Sequence, residues 1–219
     1  MTLPSVFVTG GTGYIGRPLI EALLARGYAV RALARPGAES TLPRGAETVT
    51  GDALDATTFS AAIPPRATVV HLVGTPHPSP SKAAEFERVD LASIRATATA
   101  VKNAGAGHVV YVSVAQPAPM MQAYVAVRAK GEACVRETGI PATIVRPWYV
   151  LGPGHRWPYL LVPMYALLRL FPATRDAAER LGLVTRAQMI ATLLRAVAEP
   201  PAEGARVVEV PQIRSAARP

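Results

Sequence analysis

The chain has 219 residues, half of them hydrophobic and 17% charged, with a formal net charge of +8 and a single cysteine. This length and composition allow one large domain with a substantial core, and they exclude a disordered chain. Pro, Arg or Gly interrupts every apolar stretch well before about 18 residues, which excludes a membrane-spanning segment. We expect no secretory signal, and because the lone Cys134 cannot form an internal disulfide, we expect a cytoplasmic protein.

Short apolar runs alternate with helix-length stretches through about residue 146. The runs are SVFVT, AVRAL, ETVTGD, TVVHLV, HVVYVS and ATIVRP, and the helical stretches include RPLIEALLARG, ATTFSAAI, a long segment from about Lys82 to Asn103, and YVAVRAKGEACVRETG. The runs are almost continuously apolar or β-branched, which is typical of strands buried on both faces of a parallel sheet. The alternation predicts an α/β fold with a doubly wound parallel sheet of the Rossmann type.

The chain changes character after ATIVRP. A loop, GPGHRWP, leads into the apolar and aromatic stretch WPYLLVPMYALLRLF, followed by the predicted helix VTRAQMIATLLRAVAE and the strand-like RVVEV. Ligands of open α/β sheets lie beyond the carboxyl ends of the strands. We therefore expect a single domain over residues 1–219, in which residues 152–205 contribute a small cap on the substrate side.

Three glycines, Gly10, Gly13 and Gly16, lie between the first predicted strand and the first predicted helix. Glycine suits this turn because the backbone takes angles that a Cβ would hinder and must approach a pyrophosphate closely. The helix that follows presents free N–H groups and a partial positive charge to the phosphates. The pattern predicts a dinucleotide site.

Arg35 stands where many dinucleotide sites carry an acidic residue for the adenosine ribose. A guanidinium suits a 2′-phosphate, so the sequence predicts NADP(H) in preference to NAD. The alternative is a solvated arginine at a strand end, which would leave NAD as the cofactor. Arg31, at the start of the same strand, is interpreted as surface charge.

These residues resemble the atypical and extended short-chain dehydrogenases/reductases, including NmrA-like proteins and the Rossmann accessory subunit of respiratory complex I. TGGTGYIG resembles the family's nucleotide turn, GDALD its adenine-binding segment, HLVG the segment along the ribose, and IVRPWYVLGPG the segment beside the nicotinamide. The turn, Arg35 and the resemblance together assign the cofactor to Gly10, Thr12, Gly13, Tyr14, Ile15, Gly16, Arg35, Asp52, Ala53, Leu72, Val73, Gly74, Pro147, Trp148, Tyr149 and Val150. The alternative for Asp52 is a cap on a helix beginning near Asp55.

The resemblance also implies a catalytic set. The family's reductases use a tyrosine as proton donor, a lysine four residues later, and a serine that hydrogen-bonds the substrate oxygen. The matching residues here are Tyr124 and Ser113, but Arg128 stands in place of the lysine. Residues i and i+4 lie about 40° apart around a helix, whereas i and i+6 lie about 240° apart, so Arg128 shares the face of Tyr124 and Lys130 does not. Asp90 is a candidate ion-pair partner for Arg128.

Apolar, aromatic and polar residues expected near the nicotinamide are candidates for substrate contact, namely Met121, Trp148, His155 and Trp157. The alternative for the aromatic stretch is the core of the cap or a dimer surface. His71 is interpreted as an interior histidine, and the four histidines lack the spacing of metal ligands, so no metal is expected.

Taken together, the sequence predicts an NADP(H)-dependent oxidoreductase acting on a small apolar carbonyl compound. The alternative, suggested by the missing lysine, is a non-catalytic NADP-binding redox sensor or scaffold. The basic residues stand singly, without interleaved aromatic residues, so nucleic-acid binding is not expected. Monomer and homodimer both remain open, as does peripheral membrane contact through WPYLLVPMYALLRLF.

Overall fold

In the computed structural model of the protein, residues 4–153, 171, 176 and 179–216 are described. The described part of the predicted cap comprises residues 152–153, 171, 176 and 179–205, whereas the candidates His155 and Trp157 lie outside the described residues. No helix in the described ranges is both long and apolar enough to cross a bilayer.

The described strands form two parallel sheets. Their bounds are β1 (Val6–Thr9), β2 (Val30–Ala34), β3 (Glu47–Thr50), β4 (Thr68–His71), β5 (His108–Val112), β6 (Ala142–Val145), β7 (Val150–Leu151), β8 (Val184–Thr185) and β9 (Ala205–Val208). The main sheet has the order β3-β2-β1-β4-β5-β6-β9, and β7 pairs with β8. Every described pairing is parallel, as a doubly wound Rossmann sheet requires.

Helices cover both faces of the main sheet. Their bounds are α1 (Gly16–Leu24), α2 (Ala83–Glu85), α3 (Ala92–Ala104), α4 (Gln122–Arg136), α5 (Arg186–Ala198) and α6 (Val210–Ser215), and a π-helical segment, Phe86–Leu91, leads into α3. One apolar cluster packs α1, α5 and α6 on one face, and a second packs α3 and α4 on the other. The central strands β1, β4 and β6 are therefore buried throughout, whereas the edge strand β3 is largely exposed.

The stretch ATTFSAAI does not form the helix suggested by its sequence. It forms two short 3₁₀ turns, Ala56–Thr58 and Ser60–Ala62. Their hydroxyl groups bind nearby main-chain oxygens: Thr58 Oγ1 donates to Asp55 O at 2.8 Å, and Ser60 Oγ donates to Ala56 O at 2.6 Å. Such local bonds compete with regular helix formation.

Two histidines are buried in the sheet as neutral groups. His71 Nδ1 lies 3.0 Å from Thr9 Oγ1 and 2.9 Å from Thr97 Oγ1. His108 Nε2 lies 3.1 Å from Thr143 Oγ1. Burial is the main cause that lowers the pKa of His71 to about 3 and that of His108 to about 4. The interpretation of His71 as an interior histidine therefore agrees with its position.

These histidines are expected to make stability fall as the pH falls. In the unfolded chain an imidazole has a pKa of about 6.5, so below this pH the unfolded state binds protons that the folded state does not bind. The free energy of unfolding should fall below about pH 6.5, by up to about 1.4 kcal/mol per pH unit for each histidine. Urea denaturation at stepped pH checks this. The His71→Gln variant should show a shallower slope, and an unchanged slope would contradict the assignment.

Candidate functional site

The glycine turn folds tightly against the segment that follows β4. Gly10 has φ of +74°, and a Cβ built on it would lie 2.8 Å from Leu72 C and 3.0 Å from Val73 N. Gly13 N donates to Gly10 O at 3.1 Å, and a Cβ on Gly16 would overlap Gly10 O. The turn therefore has no room for side chains at Gly10 and Gly16, because its main chain packs closely against the segment after β4 and against itself.

The turn leads directly into the N-terminus of α1. Its N-cap, Ile15, makes no side-chain capping bond, and the first turn of the helix holds no acidic residue. No carboxylate of the helix's own first turn therefore compensates the partial positive charge of this helix end. A tight glycine turn that leads into such a helix N-terminus fits the pyrophosphate of a dinucleotide.

The two arginines of β2 and its end differ in their contacts. Arg31 Nε donates to Glu47 Oε2 at 2.9 Å, and Arg31 Nη1 donates to Ala62 O at 2.9 Å. Arg31 and Glu47 therefore form a surface ion pair. Arg35 is exposed just past the strand, and its guanidinium has no partner among the described residues. Asp52 is also exposed, and its Oδ1 accepts from Leu54 N at 2.9 Å instead of capping a helix.

A cavity of about 330 Å³ lies at the carboxyl ends of the central strands. It brings together residues from the glycine turn, from β5 and α4, and from the segment after β6: Tyr14, Ile15, His77, Pro78, Val112, Ser113, Val114, Met121, Tyr124, Arg128, Pro147, Trp148, Tyr149 and Val150. The same cavity is thus lined by the candidate cofactor residues from Pro147 to Val150 and by the three candidate catalytic residues. The cofactor candidates Tyr14 and Ile15 also line it, whereas the others are not among its lining residues, namely Gly10, Thr12, Gly13, Gly16, Arg35, Asp52, Ala53, Leu72, Val73 and Gly74.

Four lining residues were not among the sequence candidates: His77, Pro78, Val112 and Val114. The two valines flank Ser113, so their position follows once that serine is placed. His77 has a φ of +49° in the loop after β4. No sequence signal marks this loop as part of the cavity wall.

Arg128 is a buried cation held from several sides. Its Nη2 lies 2.7 Å from Asp90 Oδ1, and its Nη1 donates to Val112 O at 3.1 Å. Burial by itself would lower the pKa of Arg128, but the neighbouring Tyr124, Tyr111 and Asp90 raise it above its usual value, so the guanidinium stays protonated.

Asp90 and Gly74 shape the space around this guanidinium. Asp90 is 1% exposed, and its Oδ2 accepts from Thr75 N at 3.0 Å and from Thr75 Oγ1 at 2.6 Å. A Cβ on Gly74 would overlap Arg128 Nη2. The suggested ion pair between Asp90 and Arg128 is therefore present, and the absence of a side chain at Gly74 leaves room for the broad guanidinium.

Tyr124 stands beside this cation. Arg128 Nε donates to the Tyr124 hydroxyl oxygen at 3.2 Å, and the Tyr124 ring packs against Phe86 with centroids 4.9 Å apart. Because the arginine donates, the tyrosine keeps its own proton available for another acceptor. Lys130 is exposed and bound to Glu87 Oε1 at 2.6 Å, so it lies away from Tyr124 as the helical geometry predicts.

Ser113 directs its proton to a buried carboxylate. Its Oγ donates to Glu132 Oε1 at 2.7 Å. The same carboxylate accepts from Gln116 Nε2 at 2.7 Å, from Arg146 Nε at 2.8 Å and from Arg146 Nη2 at 2.6 Å. The hydrogen bonds that Arg146 itself donates to Glu132 are the main cause that raises the pKa of Arg146. Sequence reasoning missed Glu132, which lies eight residues after Tyr124 on α4.

Comparison with known proteins shows the family to which the chain belongs. A family profile described as NAD(P)H-binding matches residues 10–157. The chain is 34% identical over 156 residues to a ceramide reductase from Caulobacter vibrioides, covering 68% of this chain and 47% of that protein. It is 29% identical over 168 residues to a 4-hydroxy-2-methyl-3-oxo-4-farnesyl-3,4-dihydroquinoline-1-oxide ketoreductase from Stigmatella aurantiaca, covering 67% of this chain and 50% of that protein. The chain thus spans about half the length of these curated relatives.

Solved structures share the fold. The enzyme WbmH of Bordetella bronchiseptica, solved in complex with NAD⁺, superposes with a TM-score of 0.69 at 19% identity, covering 94% of this chain and 75% of that chain. At this level of identity the likeness shows the fold alone.

Proposed function

The chain belongs to the NAD(P)H-binding family, with the character of an atypical short-chain dehydrogenase/reductase, and from this we propose that it is an NADPH-dependent reductase of an apolar ketone. One observation carries the proposal: Tyr14 and Ile15 of the glycine turn line the same cavity as Tyr124 and Arg128. A dinucleotide held by the turn and a proton donor on α4 would therefore face one substrate space.

The chain's own residues supply binding and proton transfer. The glycine turn and the N-terminus of α1 would hold the pyrophosphate, Arg35 would bind the 2′-phosphate, and the segment from Pro147 to Val150 would contact the nicotinamide. When bound, the nicotinamide supplies the hydride that reduces the carbonyl carbon. Tyr124 donates its proton to the carbonyl oxygen, and Arg128, which cannot release a proton itself, stabilises the negative charge left on the tyrosine oxygen.

The cavity wall supports an apolar substrate. Met121, Trp148 and Pro147 contribute apolar surface next to Tyr124. The two curated relatives are named for a ceramide and for a farnesyl-bearing quinoline oxide, both of which carry long apolar chains. The name of the second substrate also includes a hydroxyl group on the carbon next to its ketone. We therefore propose a ketone on a largely apolar molecule as the substrate class.

Steady-state assays with NADPH and a series of aliphatic ketones of increasing chain length test the reductase. The expected result is consumption of NADPH with a kcat/KM that rises with chain length, because each buried methylene adds about 0.8 kcal/mol of transfer free energy. Tight NADPH binding without consumption by any ketone of the series would overturn the proposal.

The cofactor preference depends on Arg35. Replacing Arg35 by Ala should lower the ratio of NADPH to NADH affinity by about 5–30-fold, because a charge-assisted hydrogen bond to phosphate contributes about 1–2 kcal/mol more than solvent does. Fluorescence titration with both cofactors measures the ratio. Arg31→Ala is the matched control and should keep the wild-type ratio, because Arg31 is already bound to Glu47. An unchanged ratio in Arg35→Ala would remove Arg35 from the site.

A further inference from the structure

We propose that Met121 determines the handedness of the alcohol product, because its side chain narrows one side of the cavity so that the smaller substituent of an unsymmetrical ketone lies there. The inference rests on the proposed reductase function and deepens it, since it assigns the residue that orients the substrate. It starts from the backbone: Met121 has a φ of +56°, in the left-handed region that a bulky side chain rarely adopts.

The backbone at position 121 favours residues other than methionine. Met121 is the N-cap of α4, and its main-chain oxygen accepts from Val125 N at 3.0 Å. An N-cap favours Ser, Thr, Asp, Asn or Gly, and a left-handed residue is most often Gly or Asn. Methionine meets neither preference and makes no side-chain capping bond. The contribution of this side chain therefore lies in its contacts, which are with the cavity and with the apolar cluster of α3 and α4.

Left-handed side-chain-bearing residues are concentrated around this cavity. In the part of the chain that the structure describes, the non-glycine residues with a positive φ are Arg66, His77 and Met121, and the last two line the cavity. Backbone strain of this kind costs free energy and persists where the surrounding structure imposes it, most often at ligand sites. The fold thus holds the side chains of His77 and Met121 in the cavity wall at a local cost.

The cavity wall is buried on one side and exposed on another. Met121 is half-buried and packs, as Tyr124 does, against the apolar cluster of α3 and α4. His77 and Pro78, in the loop after β4, are exposed. The space beside Met121 is therefore closed by packed side chains, whereas the wall formed by His77 and Pro78 borders solvent.

This difference orients a ketone bound at Tyr124. Met121 lies one helical turn before Tyr124, so a ketone whose oxygen accepts the Tyr124 proton has Met121 beside one of its two substituents. We expect the smaller substituent on this closed side and the long apolar chain on the side of His77 and Pro78. The hydride then forms its bond to the carbonyl carbon from one face, and Tyr124 protonates the oxygen, which gives one enantiomer of the alcohol.

The second possibility is that Met121 only packs against α3 and α4, with no role in substrate orientation. The two possibilities differ in the product. A purely packing role predicts that shortening the side chain leaves the enantiomeric ratio unchanged, whereas an orienting role predicts that the ratio falls.

The first test measures the enantiomeric ratio of the alcohol formed from NADPH and a long-chain methyl ketone. The wild type should form one enantiomer in at least about tenfold excess, the usual effect of one group that does not fit an apolar pocket. Met121→Ala should bring the ratio to within about threefold of unity, and Met121→Leu, which conserves the volume, should keep the excess. Met120→Ala is the matched control and should also keep it, because Met120 is 55% exposed and is not among the residues that line the cavity.

The second test measures binding without turnover. Two isomeric straight-chain ketones, one with the carbonyl at the second carbon and one with the carbonyl at the central carbon, are titrated calorimetrically into the full chain saturated with NADP⁺. The first isomer should bind at least about tenfold more tightly, because a methyl group fits beside Met121 and a longer chain does not. This preference should be lost in Met121→Ala and kept in Met120→Ala.

Urea denaturation tests the backbone on which the inference depends. Glycine adopts a left-handed conformation without strain, so Met121→Gly should unfold at a higher urea concentration than Met121→Ala. At position 120, where φ is not positive, the order of the glycine and alanine variants should be the reverse. The same order at both positions would overturn the premise that position 121 is held in the left-handed region.

The outcomes separate this inference from the reductase itself. Equal amounts of both enantiomers from the wild type, or an excess that survives in Met121→Ala, would overturn the role of Met121 and leave the reductase intact. A preference between the two isomers that depends on Met121, without NADPH consumption by either, would support the closed side of the cavity and overturn the reductase. Equal binding of the isomers without consumption would overturn both.

Discussion

Replacing Tyr124 by Phe should lower kcat for ketone reduction by about 10²–10⁴-fold, the usual contribution of a positioned general acid. The phenylalanine keeps the ring that packs against Phe86, so the change removes the proton donor and little packing. Affinity for NADPH should change by less than about twofold, because the residues proposed to bind the phosphates lie on the glycine turn and at Arg35. Steady-state kinetics and a separate cofactor titration measure the two quantities.

Two control variants sharpen this result. Tyr28→Phe removes a tyrosine hydroxyl in the apolar cluster on the other face of the sheet and should retain wild-type kcat. Lys130→Ala removes the lysine nearest in sequence and should also retain it, because Lys130 is bound to Glu87 at the surface. Wild-type turnover in Tyr124→Phe would remove Tyr124 from the mechanism, and a large loss in Lys130→Ala would mean that the lysine acts in spite of its position.

The strands of the sheet could be predicted because the apolar pattern that marks each of them lies in consecutive residues. Runs such as SVFVT and TVVHLV are apolar throughout, and this is the pattern of strands covered on both sides. RVVEV was also predicted as a strand, and most of it forms β9 beside β6. The turns at 56–62 were predicted wrongly as a helix because the hydroxyl groups of Thr58 and Ser60 bind the main chain there, which apolar periodicity does not register.

Parts of the candidate site could be predicted for the same reason. Positions four and six residues after Tyr124 differ by a fixed angle around a helix, so the different locations of Arg128 and Lys130 followed from spacing. Glu132 could not be found in this way. Its partners Ser113 and Arg146 lie 19 and 14 residues away and meet it only after β5, β6 and α4 have packed.

Replacing Arg128 by Met should lower the free energy of unfolding by about 3–5 kcal/mol, because it leaves the carboxylate of Asp90 buried without its cationic partner. Asp90 is 1% exposed, and its remaining bonds to Thr75 do not neutralise its charge. Urea denaturation measures the loss. The double variant Asp90→Asn with Arg128→Met should recover a substantial part of it, because no buried charge then remains unpaired.

Arg128→Lys separates charge from shape. An ammonium can still pair with Asp90, so the loss of stability should be smaller than in Arg128→Met. It is a compact group that lacks the planar fork by which Arg128 reaches Tyr124, Val112 and Asp90 together. The kcat of Arg128→Lys should therefore fall, because Tyr124 loses the donor that orients its hydroxyl, even though most of the free energy of unfolding is kept. Wild-type kcat in Arg128→Lys would show that charge alone suffices, and that the room left by Gly74 for a guanidinium has no bearing on the reaction.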